Sequence, residues 1–154
     1  MSKSDWKDEL RKYFESVKII QKSKAETQES FDQFCEFIAE PAFESLEDEM
    51  KAYGIKVKMY KEKSRFIHFE FFFPGSKIDN YHYKLILPRN SYELRLSLVL
   101  KGRKLPHSSL EETQEEFMKD IFPSEVMKIS KDEMVRDIVA HYRDFNLAAL
   151  TSRD

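Results

Sequence analysis

The stretch that decides the fold is IKVKMYKEKSRFIHFEFFFPGSKIDNYHYKLILPRNSYELRLSLVLK, residues 55–101. Within it, apolar side chains recur at every second position in four consecutive runs, which begin near Ile55, Phe66, Tyr81 and Tyr92. A period of two is typical of β-strands that bury one face and expose the other. The stretch therefore predicts four strands.

The connections between these runs are short, polar and rich in turn-forming residues, as hairpin loops are. They are Lys61–Ser64, Pro74–Asn80 and Pro88–Ser91. Parallel pairing would need crossovers of about a dozen residues or more. We therefore predict a four-stranded antiparallel meander over about residues 55–101.

The segment before the sheet has the apolar spacing of a helix. Its first stripe is formed by Trp6, Leu10, Tyr13, Val17 and Ile20. A capping-box pattern at residues 23–26 predicts a new helix start there, with a break near residue 22. An unbroken helix is the alternative, because residues 25–28 include good helix formers.

A second helical stripe leads up to the sheet, formed by Phe31, Phe34, Ile38, Ala42, Leu46, Met50 and Tyr53. Pro41 removes a backbone donor and clashes with the carbonyl of Phe37, so it predicts a kink within this helix. Gly54 is suited to the left-handed conformation that ends a helix.

Two further helices are predicted after the sheet. Ser108 and Glu111 suit the start of a short acidic helix that extends to about Ile121. A capping box at residues 130–133 precedes a last helix over about residues 131–147.

These elements predict an α+β, two-layer sandwich in one domain, residues 1–154. Residues 1–53 are helical, 54–104 form the antiparallel sheet, and 105–154 are helical. The helices are expected to cover the sheet face of Ile55, Val57, Ile67, Phe69, Leu85 and Leu94. The outline resembles secretion-chaperone-like folds, small dimeric proteins that hold extended partner segments. Those folds insert a helix among their strands, so we transfer no residue roles from them.

The composition indicates a soluble, cytoplasmic protein. The chain is 41% hydrophobic and 35% charged, with 13 Phe and 7 Tyr, which suffices for a core. Because no apolar run approaches the ~20 residues of a membrane span, and no secretory signal follows Met1, we expect no membrane association. The single cysteine, Cys35, cannot form an internal disulfide, which favours a reducing compartment. Its apolar neighbours predict a buried, unreactive role.

Charge is unevenly distributed although the net charge is only −2. Residues 1–53 carry 8 basic and 13 acidic side chains, and residues 108–154 carry 6 and 11. Residues 54–107 carry 12 basic and 4 acidic side chains. The predicted sheet is therefore basic between acidic flanks.

Motifs for common catalysis are missing from the sequence. Its 3 glycines form no phosphate-binding loop, dinucleotide fingerprint or nucleophile elbow, so we predict no cofactor. Glu133, Asp137 and His141 share one side of the last helix. They could ligate a metal, but a closed zinc site needs four ligands, usually His and Cys, so we predict none.

The outer face of the sheet is the predicted binding surface because basic and aromatic side chains alternate there. Its candidate residues are Lys56, Lys58, Tyr60, Phe66, His68, Phe72, His82, Lys84 and Arg95. The apolar residues on this face, with Ile86 and Val99, indicate that the terminal helices or another subunit covers it. Strand pairing would place Glu70 opposite either His82 or Lys84.

We predict a non-catalytic protein-binding or chaperone-like module that acts as a homodimer, with another protein or itself as partner. The first alternative is a nucleic-acid-binding protein that uses Lys56, Lys58, Phe66, Phe72, Lys84 and Arg95 to pair phosphates and stack bases. The chain's pI of about 6.1 weighs against it. The second alternative is an enzyme of unfamiliar type, with His68, Glu70 and His82 as its polar cluster.

Overall fold

The computed structural model describes residues 5–152. Helix α1 (Asp5–Phe34) leads through a π-helical turn (Cys35–Ala39) into α2 (Glu40–Lys51). Strands β1 (Val57–Glu62), β2 (Phe66–Phe72), β3 (Asp79–Ile86), β4 (Ser97–Gly102) and β5 (Glu111–Glu116) follow in turn. A 3₁₀ turn (Pro123–Lys128) and helix α3 (Lys131–Leu150) complete the described chain.

The strands form one antiparallel sheet in the order β1-β2-β3-β4-β5. This confirms the predicted α+β meander and adds a fifth strand at its edge. The inward side chains predicted from the alternation are buried, from Ile67 and Phe69 at 0% exposure to Ile55 at 9%. Phe43 of α2 stacks on Phe69 with ring centroids 5.9 Å apart, and Tyr142 of α3 stacks on Phe71 at 4.9 Å. Both helices therefore lie against the same face.

The predicted acidic helix at residues 108–121 is wrong, because this segment contains β5. Its backbone pairs with β4, and Lys101 lies 3.4 Å from the Glu112 carboxylate across the two strands. Phe117, which follows β5, is buried and packs edge-on against Phe34. Local helix signals are overridden here by an open strand edge with complementary charges.

The predicted break near residue 22 is also absent, since α1 is continuous from Asp5 to Phe34. The irregularity lies next to Pro41, where the sequence predicted a kink, and it takes the form of the π-helical turn. Glu40 donates its N–H to the Cys35 carbonyl, one residue further back than in an α-helix. Cys35 is buried as predicted, at 1% exposure, and burial raises the pKa of its thiol to about 12.

Helix α3 is attached to the sheet by both polar and aromatic contacts. Ser130 caps its first turn by accepting the N–H of Glu133, as predicted. Further along, the buried Tyr83 hydroxyl donates to the Asp137 carboxylate. Hydrogen bonds to Asp137 and the charge of Glu115 raise the pKa of His141 to about 9 despite partial burial. An ionised His141 thus links α3 to the acidic strand β5.

Gly54 ends the helical layer in the way the sequence predicted. Its φ is 72°, its N–H donates to Lys51, and the N–H of Ile55 donates to Met50. This pair of hydrogen bonds is a Schellman motif. It turns the chain directly from α2 into β1.

Replacing Gly54 with Ala should lower the free energy of unfolding by about 1 kcal/mol, because a Cβ strains the left-handed conformation. No atom lies within 4 Å of the added Cβ, so the loss reports the backbone alone. Gly54→Asn should lose less, since Asn tolerates this conformation better. Urea denaturation measures the free energy of unfolding of both variants. Equal losses in the two would contradict the assignment of a left-handed helix cap to Gly54.

Candidate functional site

The structure places the predicted binding residues of β1–β3 on the face opposite the helices. Cross-strand rows run Lys58–Glu70–His82–Lys101 and Tyr60–His68–Lys84–Val99 across this outer face. Of the two pairings left open by the sequence, the structure has Glu70 opposite His82. Lys56 lies just before β1, where its carbonyl accepts the N–H of Phe72. Arg95 lies before β4 and pairs with Glu93 and Glu116.

Two phenylalanine rings of the outer face each have a lysine ammonium over one side, while Tyr60 on the same face remains 44% exposed. The Lys84 ammonium lies 4.2 Å from the centroid of the Phe66 ring, and that of Lys58 lies 5.3 Å from Phe72. Such cation–π contacts stabilise by about 0.5–1 kcal/mol each. Phe72 retains only 7% exposure. Helices α2 and α3 lie against the opposite face and do not cover these rings, and cover by a second subunit stays a prediction.

Three polar side chains form a hydrogen-bonded relay on this face. His82 Nε2 lies 2.8 Å from the Asp79 carboxylate, and His82 Nδ1 lies 2.8 Å from His68 Nε2. Because an ionised carboxylate only accepts, His82 donates from Nε2, and in the neutral pair His68 donates from Nε2 to His82. The Nδ1 atom of His68 then carries the lone pair. The relay is an arrangement suited to moving a proton.

The electrostatics of the relay favour a neutral His68. Partial burial and the nearby charges of His82, Lys84 and Lys101 lower the pKa of His68 to about 4. At the other end, burial opposes the ionisation of Asp79. The hydrogen bond from His82 and the charge of Arg103 outweigh it and lower the pKa of Asp79.

Sequence reasoning found His68 and His82 but missed Asp79 and the contact between Asp79 and Arg103. The pairing of β2 and β3 is irregular between Phe71 and Phe72, so that Phe72 opposes Asp79. A strict period of two would place Asp79 on the inner face. Arg103 follows β4 and donates from Nε to the Asp79 carbonyl at 3.2 Å. The irregularity has no signature in the sequence, so this contact could not be predicted.

The relay lies outside the best-formed cavities of residues 5–152. Five of these cavities have volumes of 230–460 Å³, and none of the five has His68, Glu70 or His82 in its lining. Within residues 5–152, no group of three or more His, Cys, Asp or Glu side chains is placed to hold a metal ion. Of the side chains considered for a metal on α3, Glu133 contacts Ser130, and Asp137 and His141 pair with each other.

The second candidate surface is the first part of α1, which we call the helical arm (residues 5–22). Its apolar side chains were expected to pack on the sheet, and the structure instead leaves them largely exposed. The exposed fractions are 60% for Trp6, 48% for Leu10, 59% for Tyr13, 56% for Phe14 and 45% for Ile20. None of these side chains belongs to the core of the described residues.

The arm and the core share one apolar stripe. Trp6, Leu10, Tyr13, Val17 and Ile20 are spaced alternately by four and three residues, the spacing of a helix–helix seam. The same spacing continues through residue 24 to Thr27, Phe31 and Phe34, which are buried at 0–7% exposure. The stripe therefore enters the core at its carboxyl-terminal end and lies in solvent at the other.

Comparisons with protein-family models, curated proteins and solved structures found no match to this chain. Between residues 5 and 152, no helix combines the length and apolar character needed to cross a membrane.

Replacing His68 with Gln should make the free energy of unfolding less sensitive to acid. The folded pKa of His68 is about 4, below the unfolded value of about 6.5. The unfolded chain thus binds more protons between these values, and stability falls as the pH falls through this window. The unfolding free energy that the wild type loses through His68 between these two pH values is at most about 3 kcal/mol.

Urea denaturation at about pH 7 and about pH 4.5 measures this effect. The control is His107→Gln, which alters an exposed histidine in the loop between β4 and β5. We expect the control to lose stability in acid as the wild type does. An equally steep loss in His68→Gln would show that His68 is not held neutral.

Proposed function

We propose that this protein is a non-catalytic protein-binding module that acts as a homodimer, and that the helical arm is its contact surface. The observation that carries the proposal is the exposed apolar stripe from Trp6 to Ile20. Exposed apolar side chains that form a continuous surface are typical of interaction sites. The absence of common catalytic motifs from the sequence supports the same reading.

The physical state of the arm supports a partner. At 1.5 Å per residue the arm is roughly 27 Å long, and its large apolar side chains make no contribution to the core. Helical stability in proteins comes mainly from packing an apolar face, and the arm leaves its apolar face largely exposed. A second helix along the stripe would supply that packing.

The outer sheet face is the weaker candidate for dimer contact. Phe66 and Phe72, which the sequence suggested as contact residues, are already covered by Lys84 and Lys58. A partner would have to displace these contacts before it could reach the rings. The face remains available for a polar partner through Lys56, Lys58 and Lys84.

The same observations weaken the nucleic-acid alternative. Base stacking needs free ring faces, and a lysine ammonium lies over one face of each of the two phenylalanines, which leaves Tyr60 as the more exposed ring. Part of the positive charge at and just before β4 is also paired with β5, since Lys101 pairs with Glu112, and Arg95 with Glu116. A face with these ion pairs lacks the uniform positive charge of most nucleic-acid sites.

One observation favours the enzyme alternative, namely the relay of Asp79, His82 and His68. A histidine held by a carboxylate is an arrangement used in general acid–base catalysis. However, the relay lies on an open sheet face rather than in one of the five cavities. It stands as the second candidate function, after protein binding.

A cytoplasmic location remains part of the proposal. It is supported by the single cysteine, which is buried in the core and cannot form a disulfide within the chain.

The double substitution Leu10→Ser and Tyr13→Ser should convert the dimer to a monomer. Loss of two apolar side chains from the contact should cost about 3 kcal/mol or more, which weakens dimerisation by roughly 100-fold or more. Sedimentation equilibrium over a range of protein concentrations measures the dissociation constant.

Two control variants make this test specific. Lys12→Ser with Glu15→Ser changes the same helix off the stripe, and Phe66→Ser with Phe72→Ser changes the outer sheet face. We expect the first control to dimerise as the wild type does and the second to retain the dimer if it folds. A monomeric wild type, or a dimer lost only in the sheet variant, would reject the arm as the contact surface.

A further inference from the structure

We propose that two helical arms pair in antiparallel orientation. Trp6 of each chain then occupies a cavity of the other chain, at the point where its arm joins the rest of the fold (residues 23–152), which we call the body. This inference rests on the proposed function, since it specifies how the homodimer is built. It follows from where the stripe leads, which cavity lies beside it, and how charge is distributed along it.

The continuity of the stripe excludes a parallel pair. Beyond the arm, the stripe residues Thr27, Phe31 and Phe34 face the core of their own chain. In a parallel pair, residues 24–34 of the partner would have to run along this same side of α1. That space is filled by the body, so a partner helix must approach from the opposite direction.

An antiparallel register that matches apolar residues follows from the seam spacing. The stripe residues alternate between those followed by a step of four residues and those followed by a step of three. In an antiparallel pair, each residue of the first kind packs against one of the second kind on the partner helix. If the two-fold axis crosses the helix pair level with residue 15, Leu10 lies opposite the partner's Ile20 and Tyr13 lies opposite the partner's Val17. Phe14 then meets the partner's Phe14 beside the axis. This register uses the whole length of the arm.

The same register brings Trp6 to the end of the partner's arm, opposite Lys24. A cavity of about 380 Å³ lies beside this point, between α1, the loop before β4 and the 3₁₀ turn. It is lined by Ser23, Thr27, Tyr92, Leu94, Pro123 and Met127, with Glu26 and Glu93 at its polar side. An indole ring matches such a mixed apolar and polar lining.

Charge distribution favours the antiparallel orientation independently. Residues 5–9 carry three acidic side chains and one basic one, whereas residues 18–24 carry three lysines and no acidic residue. Antiparallel pairing sets these two segments against each other, while parallel pairing would set like charges side by side. The Lys7 ammonium, 5.5 Å from the Trp6 ring centroid, would accompany the indole toward Glu26 and Glu93 of the partner.

Cysteine cross-linking tests the orientation. Leu10→Cys and Ile20→Cys should each give no disulfide-linked dimer alone, but should cross-link to each other when the two proteins are mixed and oxidised. The wild-type protein is the control, because buried Cys35 should not react. Self-cross-linking of Leu10→Cys would show a parallel pair and overturn the inference while the homodimer stands. A monomeric wild type in sedimentation would instead remove the proposed function on which it rests.

The position of Trp6 has its own readout, because the chain has a single tryptophan. A nitroxide attached to Ser124→Cys lies at the cavity, and within one chain it is roughly 25–30 Å from Trp6 along the helix. Contact quenching should therefore remove most of the tryptophan emission in the dimer and disappear on dilution to the monomer. A nitroxide on Lys77→Cys, in the loop between β2 and β3, should leave the emission unchanged. A labelled dimer with unquenched emission would show that Trp6 lies elsewhere.

Discussion

The apolar stripe of α1 is the constraint on which the core and the proposed interface both depend. At its carboxyl-terminal end, Phe31 and Phe34 are fully buried, and Phe34 packs edge-on against Phe117 next to β5. At its amino-terminal end the same spacing continues in solvent. Since one helix carries both parts, the core holds the arm in a set direction. The orientation of any helix that packs on the arm is thereby restricted.

The outer face and the edge of the sheet carry features that reduce association with other sheets. Its phenylalanine rings are covered by lysine ammonium groups, and its edge strand β5 carries four glutamates that pair with basic residues of the neighbouring segments. Charged edges and covered rings reduce edge-to-edge association between sheets. The longest run of exposed apolar side chains lies on the arm.

Histidines on the two faces of the sheet have opposite electrostatic environments. His68, on the outer face, is partly buried among basic groups that lower its pKa to about 4. His141, on α3, is surrounded by Asp137 and Glu115, and its pKa is raised to about 9. Hence His68 weakens the fold in acid, whereas the stability contributed by His141 is complete below about pH 6.5 and is lost as the pH rises toward 9. Together they favour a folded state of greatest stability near neutral pH.

The local sequence alone determined the strands β1–β3, the cap at Gly54, the cap at Ser130 and the disturbance near Pro41. Each depends on a few adjacent residues whose backbone preferences or alternation suffice to specify it. The sequence also placed Lys56, Lys58, Tyr60, Phe66, His68, Phe72, His82 and Lys84 on one side of the chain, because side-chain direction in a strand follows from the period of two.

Other features were decided only by the tertiary structure. Residues 111–116 became a strand because the edge of β4 offered hydrogen bonds and opposite charges, and no local pattern encodes that edge. Asp79 joined the histidines through an irregularity in strand pairing. The exposure of the arm was equally hidden from the sequence, because an apolar stripe has the same spacing whether it faces a core or a partner. How much of the stripe the core covers depends on where the rest of the chain packs on α1, and that is a property of the whole fold.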